Sequence, residues 1–142
     1  MKKVKELMTK DVVTINKEKT IVEAAKIIGD KGVGSLVITD NGNIVGVLTE
    51  RDIITKCVAK GCEPSKTKVS EIMSSPVVAI DPEADIIDAA KLMVSKMIRR
   101  LPVLEGGKLV GIITTYDLVK NVSKGKRKED SLIYLAAEYE VF

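Results

Sequence analysis

The sequence predicts an α/β fold made of two gapless copies of one βαββα repeat, packed with pseudo-two-fold symmetry. Three observations carry this reading. The chain matches itself at a shift of 65 residues, its apolar residues switch between strand-like runs and helical spacing, and a glycine-bearing turn falls at the same point of each copy. The shift lays Val4–Cys57 over Val69–Val122 without a gap, and about a third of the aligned positions are identical.

Each copy opens on a matched segment, Val4-Lys5-Glu6-Leu7-Met8 and Val69-Ser70-Glu71-Ile72-Met73. A short extended run follows, Val12 to Ile15 or Val77 to Ile80. Next comes a helix, about Thr20 to Lys31 or Asp85 to Lys96. Thr20 with Glu23, and Asp85 with Asp88, have capping-box spacing at its start. Ile21, Ala24, Ala25 and Ile28 recur at helical spacing and give one face to bury. Two β-rich runs then flank a turn. They are Ser35–Thr39 and Ile44–Leu48 in the first copy, Leu101–Leu104 and Leu109–Ile113 in the second. Asn41-Gly42 and Gly106-Gly107 suit a tight hairpin because they tolerate positive φ. A second helix starts near Glu50 and near Thr115. A single copy of roughly 55 residues is marginal alone, so two copies gain by covering each other's open apolar faces.

The expected organisation is repeat 1 at 1–58, a linker at 59–68 with Gly61, Pro64 and several charges, and repeat 2 at 69–122. Residues 123–142 read as a basic linker followed by an apolar amphipathic segment with Leu132, Ile133, Leu135 and Tyr139. That segment is expected to pack on a second chain.

Composition excludes several function classes. Apolar residues make up 45% and charged residues 30% of the 142, a globular balance. The net charge of +3 is too small to argue for nucleic acid. The apolar runs fall short of the roughly 18 to 20 residues that cross a bilayer, and Met1–Lys10 lacks a signal-peptide core, so a cytoplasmic location is expected. There is no histidine, and Cys57 and Cys62 alone make neither a disulfide framework nor a metal site; two reduced thiols are expected. No nucleophile elbow or phosphate-binding Gly/Lys loop occurs, and Gly32-Val33-Gly34 lacks the third glycine of a dinucleotide fingerprint. A non-enzyme without catalytic or metal residues is the expectation.

Four landmarks stand in order, three of them in both copies. These are the Met-x-x-x-Val opening at Met8 and Met73, the Ala-Ala pair in the first helix, the Arg99-Arg100-Leu101-Pro102-Val103 stretch leading into the middle strand, and the Gly-x-x-Thr-x-x-Asp close at Gly46–Asp52 and Gly111–Asp117. Each copy resembles a CBS domain, and the pair resembles a Bateman module, over about 120 residues. The resemblance implies an adenosine-containing ligand (AMP, ADP, ATP or S-adenosylmethionine) in a cleft between the repeats. Asp52 and Asp117 then accept from ribose hydroxyls, with Thr49 and Thr114 beside the ribose and phosphate. A carboxylate facing two adjacent hydroxyl donors is sound chemistry.

The adenine is expected between the segment holding Met8, Thr9, Val12 and Val13 and the segment Val33, Gly34, Ser35. In the second copy the walls are Met73, Ser74, Val77 and Val78 with Ile98, Arg99 and Arg100. Arg51 is a further cation for phosphate. The Asp52 site, served by Arg51 and by Arg100 from across the interface, is expected to favour a phosphorylated ligand, and the Asp117 site, with Tyr116, a less charged one. Family members imply a homodimer and an effector protein as partners, with no role for a membrane. Thr49-x-x-Asp52 and Thr114-x-x-Asp117 are also capping boxes, worth about 1 kcal/mol to a helix, and both roles are compatible. Two other readings stay open: a nucleic-acid-associated regulator using the basic run, and a structural dimerisation module with vestigial pockets.

Overall fold

A computed structural model describes residues 2–123; the expected amphipathic segment and nearly all of the basic linker lie outside them. The elements run α1 (Val4–Leu7), β1 (Thr14–Asn16), α2 (Ile21–Lys31), β2 (Ser35–Asp40), β3 (Asn43–Thr49) and α3 (Glu50–Asp52), which continues as a π-helix over Ile53–Val58. A 3-10 turn at Val69–Glu71 precedes α4 (Ile86–Lys96), β4 (Arg100–Glu105), β5 (Lys108–Thr114) and α5 (Thr115–Ser123).

The chain forms two compact units, and they are not the two sequence repeats. One unit holds Val12–Val77; the other holds the described residues up to Asp11 and those from Val78 to Ser123. The opening segment of each repeat therefore packs on the body of the other repeat. Val69 and Ile72 join Ile15, Ile21, Leu36, Ile38 and Leu48 in the core of the first unit. Val4 joins Ala89, Met93, Leu101, Val103 and Ile113 in the core of the second. Backbone bonds fix the exchange: Val69 N–H donates to Lys19 O at 2.8 Å, and Val4 N–H to Ala84 O at 2.8 Å.

In the first unit β1 runs parallel to β2, and β2 pairs antiparallel with β3. Both hairpins close as expected. Asn41 and Gly42 have φ of 50° and 81°, Gly106 and Gly107 of 57° and 83°, the conformation that two-residue turns between twisted strands require. The second unit forms the matching β4–β5 hairpin, but the extended run expected at Val77–Ile80 makes only an isolated parallel bridge, Ile80 to Val103. The cause is one residue. Val37 N–H donates to Val13 O at 3.1 Å in the first unit. Its counterpart is Pro102, which has no N–H to give.

Thr20 caps α2 by accepting from Glu23 N–H at 3.2 Å. The matching box expected at Asp85 does not form; its carboxylate pairs with Lys3 at 3.5 Å and makes no cap bond. Ile21 and Ala24 are buried as expected, but Ala25 is exposed, whereas its counterpart Ala90 is buried. The cysteines also depart from expectation. Cys57 and Cys62 are disulfide-bonded, not free, with Cα atoms 4.8 Å apart. The chain folds straight back after the π-helix, and Cys62 N–H donates to Cys57 O at 2.9 Å.

Candidate functional site

The candidate residues fall into two similar constellations, one in each unit, each at the junction where a hairpin strand runs into a helix. In the first unit Thr49 ends β3 opposite Ser35, and Gly34 O accepts from Glu50 N–H at 3.1 Å. This brings Val33, Gly34 and Ser35 beside Thr49, Arg51 and Asp52. Asp52 is the buried charged residue of the described chain. Its Oδ2 accepts from Thr49 N–H at 2.9 Å, and Thr49 Oγ1 accepts from Asp52 N–H at 3.0 Å, so the capping box is formed. Oδ1 meets Lys56 Nζ at 3.1 Å. Lys56 also donates to the Ile72 carbonyl at 3.3 Å.

The second unit repeats the plan with different side chains. Thr114 ends β5 opposite Arg100, and Arg99 O accepts from Thr115 N–H at 2.9 Å. Ile98, Arg99 and Arg100 thus stand beside Thr114, Tyr116 and Asp117. Asp117 Oδ2 accepts from the Thr114 amide at 2.8 Å and from its hydroxyl at 3.0 Å. Tyr116 is 71% exposed. Arg100, expected to serve Asp52, is by strand register a neighbour of Thr114 in the unit that carries Asp117.

The segments expected to form the adenine walls are divided between the units. Val12 and Val13 stay with Val33–Ser35, but Met8 and Thr9 lie against β5: Thr9 bridges Ile112, and Met8 presses on Gly111. In the same way Ser74 bridges Val47 and Met73 presses on Gly46, while Val78 belongs with β4 and β5. Val77 closes the first unit. Gly46 and Gly111 are buried, and the close approach explains why both copies need glycine there: an added Cβ at either would lie 2.5 Å from the methionine sulfur. Within the first unit the structure groups Val33–Ser35, Thr49–Asp52 and Met73–Ser74. Within the second it groups Ile98–Arg100, Thr114–Asp117 and Met8–Thr9.

Sequence reasoning missed Lys56. The only signal was its place four residues after Asp52, a helical ion-pair spacing, with Asn121 at the equivalent position of the second copy. Elsewhere the electrostatics are those of exposed pairs. Lys68 holds the Glu18 carboxyl below its ordinary value by a side-chain hydrogen bond and its charge, and Asp40 raises Lys17 in the same way. Among the described residues no group of three or more His, Cys, Asp or Glu is placed to hold a metal ion, and no helix is long and apolar enough to cross a membrane.

Comparison with known proteins accords with this duplicated plan. The CBS domain family matches twice, at residues 4–59 and 69–124. The CBS domain-containing protein YhcV of Bacillus subtilis is 39% identical over 121 residues, 85% of this chain and 86% of that protein. An uncharacterised protein of Methanopyrus kandleri is also 39% identical, over 81% of this chain, and this match spans 60% of that protein's length. Among solved structures, a hexameric CBS-CP12 protein from bloom-forming cyanobacteria superposes with a TM-score of 0.79 at 33% identity, covering 98% of this chain and 90% of that one.

Proposed function

The chain belongs to the CBS-domain family, with two CBS domains in tandem, and from that premise we propose that it is a sensor for an adenosine-containing ligand. Tandem CBS chains as a class are regulatory modules. The ligand we assign is AMP, ADP, ATP or S-adenosylmethionine, held at the Thr49–Asp52 and Thr114–Asp117 constellations. One observation carries this reading: the same threonine and aspartate are presented twice at a strand-to-helix junction, each beside the head of the paired strand.

The capping bonds do not use up the aspartates. A carboxylate offers about four lone-pair sites. The Thr49 amide and Lys56 occupy one on each oxygen of Asp52, leaving acceptor capacity for two adjacent ribose hydroxyls. Phosphate charge is matched by Arg51 and Lys56 in the first unit and by Arg99 and Arg100 at the head of β4 in the second. The glycine and serine at the head of β2 leave room for a ring edge where the second copy has arginines. The module binds rather than catalyses, and its output is a change in how it engages a second copy or an effector protein, which requires the ligand to bind one arrangement better than another. The hexameric relative supports self-association as part of that output.

A thermal-melting screen tests the proposal. A ligand at about a hundred times its dissociation constant adds about 2.7 kcal/mol. At about 2 to 4 °C per kcal/mol for a chain of this size, that raises the melting temperature by about 5 to 11 °C. A shift with adenosine compounds and none with guanosine or inorganic phosphate supports the sensor. No shift with any of them leaves only a structural dimerisation module.

A further inference from the structure

We propose that Cys57 and Cys62 form a reversible dithiol–disulfide site that sets how firmly the end of the helix bearing Lys56 is held; it stands apart from the ligand reading above. Three observations carry it. First, the backbone brings the two cysteines together without help from their bond. The helix closes on Gly61 at φ 75°. Gly61 N–H donates to Val58 O at 3.2 Å, and Cys62 N–H donates to Cys57 O at 2.9 Å. These are the paired bonds of a Schellman cap, whose outermost positions commonly touch through apolar side chains. Here those positions carry the cysteines, with Cα atoms 4.8 Å apart. In a continued α-helix, residues five apart stand about 8.6 Å from each other, beyond the roughly 7 Å that a disulfide spans. Second, the two sulfurs differ in access: Cys57 is fully buried in the core of the first unit, while Cys62 is half-buried at its edge. Third, the turn before the pair is wide. Ala59 N–H donates to Ile54 O at 2.8 Å, the rare spacing of a π-helix. The second copy has Val122 at the place of Cys57 and runs as an α-helix to Ser123.

The cap rests on amide bonds and a glycine, so it outlasts the sulfur bond. Reduction leaves a paired dithiol in a folded chain, and reoxidation needs no rearrangement. The donor is a dithiol. Its first thiolate attacks Cys62 Sγ, the S–S bond breaks, and Cys57 leaves as a thiolate that takes up a proton. The donor's second thiolate then attacks the donor sulfur of the mixed disulfide, and Cys62 leaves and is protonated in turn. The donor departs as a disulfide, and two electrons and two protons have passed to the protein. Without the covalent tie the last turn opens about thirtyfold more often, the chain-entropy value for so short a loop. Lys56 lies next to Cys57, so the loosened turn also weakens its grip on Asp52 Oδ1, at 3.1 Å, and on the Ile72 carbonyl, at 3.3 Å.

The test treats the full chain with dithiothreitol in native buffer and follows amide hydrogen exchange and iodoacetamide labelling by mass spectrometry. The inference expects the folded chain to be reduced without denaturant, Cys62 to be alkylated at least about tenfold faster than Cys57, and exchange to quicken over 59–62 but not over Ile21–Lys31. Oxidised dithiothreitol should restore the parent pattern. Cys62→Ser, which spares the buried position, should show the fast pattern at once and ignore dithiothreitol. Reduction only at the rate of global unfolding, loss of the fold on reduction, or exchange over 59–62 that reduction leaves unchanged each overturns the inference, and none of these bears on whether an adenosine compound binds.

Discussion

Replacing Gly46 by alanine is the sharpest structural perturbation available near the first site. The backbone there accepts an L residue, so only space decides. The new Cβ lies 2.5 Å from Met73 Sδ, 2.9 Å from Met73 Cγ and 3.0 Å from the Ser74 carbonyl oxygen. The methionine can rotate away. The carbonyl cannot retreat without loosening a bridge in which Val47 N–H donates to Ser74 O at 3.1 Å and Ser74 N–H donates to Val47 O at 2.9 Å. Overpacking costs about 1 to 3 kcal/mol, offset by about 0.5 to 1 kcal/mol from removing a strand glycine. The net loss is about 1 to 2 kcal/mol, or roughly 2 to 8 °C in melting temperature. Calorimetric melting measures it. A double-mutant cycle with Met73→Ala should return a favourable coupling of about 1 kcal/mol, since it removes the sulfur contact but not the carbonyl contact. If Gly46→Ala melts at or above the parent temperature, Met73 and Ser74 do not lie against β3 and the segment exchange is wrong.

Other expectations are as direct. Met97 closes α4 in the left-handed conformation, at φ 57°, where the first copy has Gly32, and it is 91% exposed. Met97→Gly therefore loses no packing and should stabilise by about 0.5 to 1 kcal/mol in urea unfolding; destabilisation would mean that the side chain has a partner. The Cys57–Cys62 bond closes a short loop, and chain entropy assigns it about 2 kcal/mol, so a thiol reductant should lower the melting temperature by about 4 to 8 °C. Thiol titration of the unreduced, denatured chain should find none. For Glu18, a lowered pKa means that its stabilisation is full above the ordinary carboxylate range and fades as pH falls through the lowered value. In an NMR titration Lys68→Ala should return the Glu18 carboxyl to that range; an unmoved titration would remove Lys68 as the cause.

What was legible in the chain was local. Thr20, Asn41-Gly42 and Gly106-Gly107 each fix a backbone state through their own chemistry, so the α2 cap and both hairpins fall where the residues put them. The exchange of opening segments was not legible, because Val4 and Val69 recur with the same 65-residue period whichever body they pack on. Only the buried glycines at 46 and 111 hinted at a close neighbour. The missing second-copy strand was visible in principle as Pro102 at the position of Val37, yet it requires knowing that the Val37 amide is a ladder donor. The Asp52–Lys56 pair lay in plain helical spacing, but spacing does not say that Asp52 is enclosed or that Ile72 holds the lysine from behind.

Calorimetric stoichiometry with an adenosine nucleotide tests most directly whether the duplicated threonine–aspartate junctions are ligand sites. The parent chain should bind, Asp52→Ala and Asp117→Ala should each remove the site in its own unit, and the double variant should bind nothing while keeping its circular-dichroism spectrum. Undiminished binding by the folded double variant would show that both carboxylates serve only to cap their helices.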